Sequence, residues 1–264
     1  MVSLGTLKAA LLQAPSAKLN PFERGGRRVR LLATTMVRNE RDYVPGMLRN
    51  VGPQVDGIVA LDDGSSDGTD RLLEQSPHVV ELLRNPPDRA AYDEPSGHRR
   101  LVAAALRHGA DWIVSFDADE RLERDFRMRA ERVIRRGGTF GLAAFAVRVR
   151  ELWDSPDHYR VDGIWGGKRV PRLFRATPDH RFDERPLHAA KAPLQGKVFG
   201  MFPPADLVIY HLRMIRREDR DLRRERYERL DPDARWQPKV GYAYLTDERG
   251  LTLHRIPPGR RYED

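Results

Sequence analysis

Asp117-Ala118-Asp119-Glu120 closes an apolar run, Trp112-Ile113-Val114-Ser115-Phe116, that reads as a buried strand. Two carboxylates at i and i+2 of an extended segment point to the same side of the chain. Like charges about 4 Å apart repel by roughly 1 kcal/mol in water and about 4 kcal/mol at an effective dielectric of 20. A chain that brings them together at a strand end therefore usually gives them a shared cation. Carboxylate oxygens suit Mg2+ or Mn2+, ions commonly held by one or two carboxylates together with substrate phosphates. The chemistry expected here is a metal–diphosphate site. A solvated acidic loop after a strand has the same look, so the rest of the chain must decide.

Asp62-Asp63-Gly64-Ser65-Ser66-Asp67-Gly68-Thr69 is the more specific string. Gly64 and Gly68 let the backbone turn tightly, and Ser65, Ser66 and Asp67 can cap the helix that follows. Asp62 and Asp63 can accept hydrogen bonds from base N–H groups or ribose hydroxyls. A ligand-free capped turn accounts for the glycines but not for two adjacent aspartates before it.

The elements that would position these residues alternate as in an α/β protein. Strands are expected at 29–35, 57–61, 79–83 and 112–116, and helices at 41–51, 69–75, 98–108 and 125–136, the last stopped by Gly137-Gly138. Such alternation implies a mostly parallel sheet with helices on both faces. Ligands of open α/β sheets sit beyond the carboxyl ends of the strands. Asn39-Glu40, Asp62-Asp63 and Asp117-Ala118-Asp119 all fall at such ends. Further strands are expected at 143–150 and 169–175, separated by a Trp-, Gly- and Asp-rich loop. A charged helix follows over 215–230, with Leu212, Ile215, Leu222 and Leu230 as a sparse apolar stripe. The expected organisation is an extension over 1–27, a catalytic domain over 28–214 divided near 125, and a charged helix and tail over 215–264.

Composition narrows the classes. The 264 residues suffice for a real core. Without cysteine there is no disulfide, zinc–thiolate site or thiol catalysis. No apolar stretch approaches the roughly 20 residues of a membrane span, and the N-terminal stretch lacks the pattern of a signal peptide, so the chain is expected to be cytoplasmic. The net charge of +8 fits phosphorylated substrates, nucleic acid or anionic headgroups, the last allowing peripheral contact with the inner face of a membrane.

Met36-Val37-Arg38-Asn39-Glu40, the DDGSSDGT string and Asp117-Ala118-Asp119-Glu120, in this order, resemble family-2 glycosyltransferases of the GT-A fold over about residues 29–125. The resemblance implies a Rossmann-like sheet and inverting transfer of a hexosyl-type sugar from a nucleotide-diphosphate sugar to an acceptor hydroxyl. Thr35, Asn39, Glu40, Asp62, Asp63 and Ser65 would bind the nucleotide-sugar. Asp117, Ala118 and Asp119 would match the DxD motif that holds nucleotide and Mn2+ or Mg2+. More faintly, Arg172-Leu173-Phe174-Arg175 and Leu187-His188 resemble lipopolysaccharide-core-type members, in which a glutamate follows the histidine as candidate base. Ala189 stands there in this chain, so Asp183 and Glu184 become the substitute bases. His211 would match a histidine that contacts metal or diphosphate, and Arg99 and Arg172 are candidate diphosphate or acceptor contacts. Two other readings stand beside this one. A nucleotidyl- or phosphotransferase would want a phosphate loop, and Gly166-Gly167-Lys168 lacks the Walker spacing. A nucleic-acid-binding protein is favoured only by charge, against interleaved acids. Donor sugar, base and acceptor are not fixed by the sequence.

Overall fold

Among the described residues ten strands form: β1 (Leu31–Val37), β2 (Ile58–Asp62), β3 (Val79–Arg84), β4 (Trp112–Ser115), β5 (Glu120–Leu122), β6 (Ala144–Glu151), β7 (His158–Arg160), β8 (Arg169–Arg175), β9 (Pro204–His211) and β10 (Leu253–Arg255). The structure, a computed structural model, describes residues 28–87, 93–185 and 190–264. The expected extension over 1–27 and Leu187-His188-Ala189 lie outside the described residues. Eight strands make one sheet in the order β3-β2-β1-β4-β8-β6-β9-β5, and β7 pairs with β10 in a small antiparallel ribbon. Four of the seven neighbour pairs in the large sheet are parallel, and three are antiparallel.

β1, β2 and β4 are buried almost throughout their length, as strands covered on both faces must be. Successive side chains serve opposite cores. Leu31, Ala33 and Val37 pack with Met47 of α1 (Val44–Val51), Leu73 of α2 (Thr69–Glu74) and Phe126 and Ile134 of the later helix 126–138. Leu32, Val59 and Leu61 pack with Leu101, Ala104 and Ala105 of α3 (Glu94–Arg107). Helices therefore cover both faces, as expected. No helix among the described residues is long and apolar enough to cross a membrane.

The sequence places several boundaries differently. α1 begins at Val44 and not Arg41, because residues 41–43 form a turn and a proline occupies the first helical turn. α3 begins at Glu94, four residues before the expected start, where Asp93 caps the backbone N–H of Ser96 at 2.9 Å. α4 (Phe126–Gly138) runs through the two glycines expected to stop it. Gly137 is there for space: a Cβ would lie 2.2 Å from the Phe145 ring. After α5 (Gly163–Gly166), α6 (Arg217–Leu230) does not bury its leucines, with Leu222 63% and Leu230 55% exposed. Its buried residue is Arg220, which lies 4.2 Å over the Trp153 ring and bonds to Asp154 and Glu248.

The register sets the site. Val37 of β1 pairs with Asp62 of β2, and Thr34 with Ser115 of β4, so three strands end at one edge. The carboxyl end of β9 reaches the same region, where His211 pairs with Glu120 of β5 and Glu151 of β6.

Candidate functional site

The loops after β1 and β2 are sewn together. The backbone N–H of Asn39 donates to Ser65 Oγ at 3.0 Å, that of Ser66 to Asn39 Oδ1 at 2.8 Å, and that of Glu40 to Thr69 Oγ1 at 2.8 Å. Asn39 adopts φ 54, a left-handed value asparagine tolerates. Asp62 Oδ2 accepts from the Ser65 backbone N–H at 3.0 Å, and Asp63 Oδ1 accepts from Asn85 Nδ2 at 2.5 Å. Gly64 has φ 75, and a Cβ there would meet Pro87 Cα at 2.8 Å. Asn39, Ser65 and Asp62 thus shape the loops, while Glu40 and Asp63 are left facing the cavity described below.

Asp117 to Glu120 is a turn and not an extension of β4. The Glu120 backbone N–H donates to the Asp117 carbonyl at 3.0 Å. The expected same-side geometry of an extended pair therefore does not hold, and the two aspartates take different partners. Asp117 pairs with Lys191 and, at 3.0 Å, with Arg172. Despite burial, these cations hold its carboxyl well below the usual range. Glu120 opens β5 and fixes the turn, accepting from the Asp117 backbone N–H at 2.8 Å and from Arg172 at 2.6 Å. Its burial pushes its own carboxyl up.

Asp119 faces His211, with Oδ2 3.1 Å from Nε2, and receives Arg213 Nε at 2.5 Å. His211 Nδ1 bonds to Glu151, which is also paired with Lys168. Arg223 of α6 approaches His211 Nε2 at 3.0 Å. Burial works against a charged imidazole, yet Glu151 and Asp119 raise His211 to about 9. A carboxylate and an imidazole facing one another, with a second carboxylate behind the ring, match the ligand-plus-outer-partner pattern of metal sites. Asp119 and His211 would hold a divalent ion, with further oxygens from phosphate, once the imidazole gives up its proton and Arg213 and Arg223 turn to the phosphate. Asp117, expected as a third ligand, has both oxygens occupied by Lys191 and Arg172. Among the described residues no three such groups converge ready-made.

Asp117, Asp119, Lys191, His211, Arg213 and Arg223 line a cavity of about 370 Å3, together with Glu40, Asp63, Glu94, Ala118 and Tyr227. Of the residues expected at the site, Glu40, Asp63, Asp117, Ala118, Asp119 and His211 reach its wall. Thr35, Asn39, Asp62 and Ser65 lie behind it, and Arg172 supports it through Asp117. Arg99 and Glu184 pair with each other at 2.7 Å on the surface, and Asp183 pairs with Arg185 at 2.6 Å. Neither substitute base is in the wall. Sequence reasoning missed Glu94, Lys191, Arg213 and Arg223. Arg213 follows His211 by two residues, a spacing that could have flagged it.

Burial, with repulsion from Asp119 and Asp117, outweighs the pull of Arg213 and raises Glu40 to about 7. A carboxyl whose folded pKa exceeds its unfolded value binds more protons when folded. Stability should therefore fall as pH rises from 4.5 towards 7 and level off above. At about 1.36 kcal/mol per unit, the loss is at most about 3 kcal/mol. Urea unfolding of wild type and Glu40→Gln at pH 5 and pH 8 checks this, the variant showing the flatter dependence.

No protein-family model matches the chain. It is 30% identical over 239 residues to an uncharacterized protein of Mycobacterium tuberculosis, covering 84% of this chain and 57% of that protein. It is 31% identical over 153 residues to a TPR repeat-containing protein of Synechococcus elongatus, covering 58% of this chain and 33% of that one. The chain thus spans about half, or less, of the length of these curated relatives. Among solved structures, S. aureus TarS superposes with a TM-score of 0.50 at 12% identity, covering 82% of this chain and 41% of TarS. The mannosyltransferase PcManGT of Pyrobaculum calidifontis, in complex with GDP-Man and Mn2+, gives 0.48 at 18% identity, over 94% and 71% of the two chains. Its eight-stranded α/β sheet and the superposition on TarS show that the chain has the GT-A fold of glycosyltransferases.

Proposed function

We propose that the protein transfers a sugar from a nucleotide-diphosphate sugar to an acceptor hydroxyl, with inversion, as a family-2-type hexosyltransferase. The observation that carries this reading is the convergence of the loops after β1, β2 and β4 with the end of β9 on one cavity that mixes carboxylates with three half-buried cations. Glu40 and Asp63 face the nucleoside side. Lys191, Arg213 and Arg223 supply fixed positive charge for a diphosphate, whose negative charge grows as the sugar leaves.

Asp119 and His211 would hold Mn2+ or Mg2+, which when bound supplies Lewis-acid stabilisation of the leaving diphosphate. The chain's own residues do the rest. Glu151 holds the imidazole by Nδ1, Glu120 and Arg172 hold Asp117, and the loops sewn through Asn39 and Ser65 hold Glu40. The base must reach the attacking hydroxyl. Glu94 is the wall carboxylate that fits: it is 7% exposed, and its nearest side-chain partner is His98 Nε2 at 3.4 Å. His98 and Lys191 overcome burial to keep it below the usual carboxylate range, hence ionised and able to accept a proton.

The test is a panel of nucleotide-sugars incubated with the purified protein and Mn2+ or Mg2+, scored for release of free nucleoside diphosphate. Release from one donor that depends on the added ion is expected. Failure to bind or turn over any of them removes the reading.

A further inference from the structure

We propose that Arg121 is a positioning residue for the Asp117–Glu120 turn and that Asp264 clamps it there. The inference rests on the donor-site reading above, because it assigns Arg121 the task of holding that site's carboxylates in place.

Arg121 is 2% exposed in β5, an unusual place for a guanidinium. Its Nη1 donates to the carbonyls of Ala118 and Glu120, each at 3.0 Å, so it grips the turn on both sides of Asp119. Nη2 donates to the Tyr43 carbonyl at 3.2 Å, three residues beyond Glu40. One buried cation therefore ties two walls of the cavity by their backbones. Nε donates to Asp264 Oδ1 at 2.6 Å, and among the described residues this is the one carboxylate paired with Arg121.

Gly46 shows that the space was kept for this pair. It sits inside α1, where glycine is disfavoured relative to alanine. A Cβ at Gly46 would lie 2.2 Å from both Arg121 Nη2 and Asp264 Oδ1. The segment that carries Asp264 is itself held by its backbone. The carbonyls of Glu263, Arg261 and Arg260 accept from Asn50 Nδ2, the Arg124 backbone N–H and Tyr210 Oη at 2.7, 2.8 and 2.8 Å. Asp264 is thus presented from a strap fixed by its backbone. A guanidinium deprived of it would keep its charge, lose its counter-ion and relax towards solvent, releasing the carbonyls of the turn.

The test uses the full chain with Asp264→Ala, Gly46→Ala and a control, Arg124→Ala, which breaks an exposed ion pair to Glu263 on the same strap. Two measurements are made: hydrogen exchange of the Glu120 and Leu212 amides, which bond to the carbonyls of Asp117 and Asp119, and the Kd for UDP and for GDP with Mn2+. Asp264→Ala and Gly46→Ala are each expected to speed exchange at these amides by about tenfold and to weaken nucleoside-diphosphate binding about tenfold, the scale of one lost charged hydrogen bond. Arg124→Ala should match wild type. Gly46→Ala keeps both partners but crowds them with a Cβ, so a merely structural role would lower Tm in both variants and leave the Kd unchanged. Exchange and Kd unchanged in Asp264→Ala, even with a lower Tm, would overturn the proposal. If the wild type binds neither nucleotide while the amides still respond, the donor-site reading fails and the clamp stands. If it binds and the amides do not respond, the clamp fails and the reading stands.

Discussion

Asp119→Asn is expected to lower metal-dependent turnover of the nucleotide-sugar by about 10²–10³-fold, or roughly 3–4 kcal/mol of transition-state stabilisation. The substitution keeps the size of the side chain and an oxygen for Arg213, but it removes the anion between His211, Arg213 and Arg223. Binding of a nucleoside diphosphate without metal should survive or tighten, because three cationic groups then share one carboxylate fewer. This split matters. A nucleic-acid-binding protein would show tighter polyanion binding and no metal-dependent turnover to lose. Asparagine is preferred to alanine because removing one partner of a buried ion pair can cost about 3–5 kcal/mol of stability. A melting curve for the variant separates lost chemistry from lost fold. Full activity in a folded Asp119→Asn protein would remove Asp119 from the metal and diphosphate role. Asp117→Ala tests the neighbour differently, since that carboxylate restrains Lys191 and Arg172.

The first half of the fold was legible because its signals are local. β1, β2 and β4 are unbroken buried runs, and the glycine spacing in the turn after β2 sets its conformation within eight residues. The later elements depend on contacts that are distant in sequence. β5 is three residues long and contains a buried arginine, so no hydrophobic period betrays it. α6 packs through Arg220 on Trp153, a contact that a search for an apolar stripe passes over. The aspartates at 117 and 119 were legible as a site but not in their geometry. Whether the chain continues as a strand or turns after Ser115 is settled by Glu120 and Arg172, the latter 52 residues further on from Glu120. Lys191 lies in a stretch without periodicity, and its pairing with Asp117 spans 74 residues. The likeness of the second half points to Asp183 and Glu184, whereas Glu94 opens α3 beside its cap at Asp93, and the sequence pattern places that helix start only at His98.

Glu94→Gln is expected to lower kcat by about 10²–10⁴-fold, the usual contribution of a positioned general base, while leaving the Kd for the nucleoside diphosphate within about twofold, since Gln keeps the shape of the side chain and alters only its charge. The contrast with the sequence-derived candidates makes the experiment decisive. Asp183 is held by Arg185, and Glu184 is paired with Arg99 on the surface, so Asp183→Asn and Glu184→Gln should retain nearly full turnover. The pH profile gives a second line. Glu94 lies below the ordinary carboxylate range because His98 and Lys191 outweigh its burial, so the acid limb of kcat should appear below pH about 4.5 and not near neutrality. His98, buried and stacked at 6.0 Å on Phe182, has its own pKa lowered and stays neutral at pH 7. It can therefore donate Nε2–H to Glu94 without adding a charge. His98→Asn should shift that acid limb upward and reduce kcat less than Glu94→Gln does, because it removes a hydrogen bond that favours the ionised carboxylate but not the carboxylate itself. If Glu94→Gln turns over like wild type and Asp183→Asn does not, the base lies on the loop that follows β8, and the 180–185 segment must then swing towards the cavity when the acceptor binds.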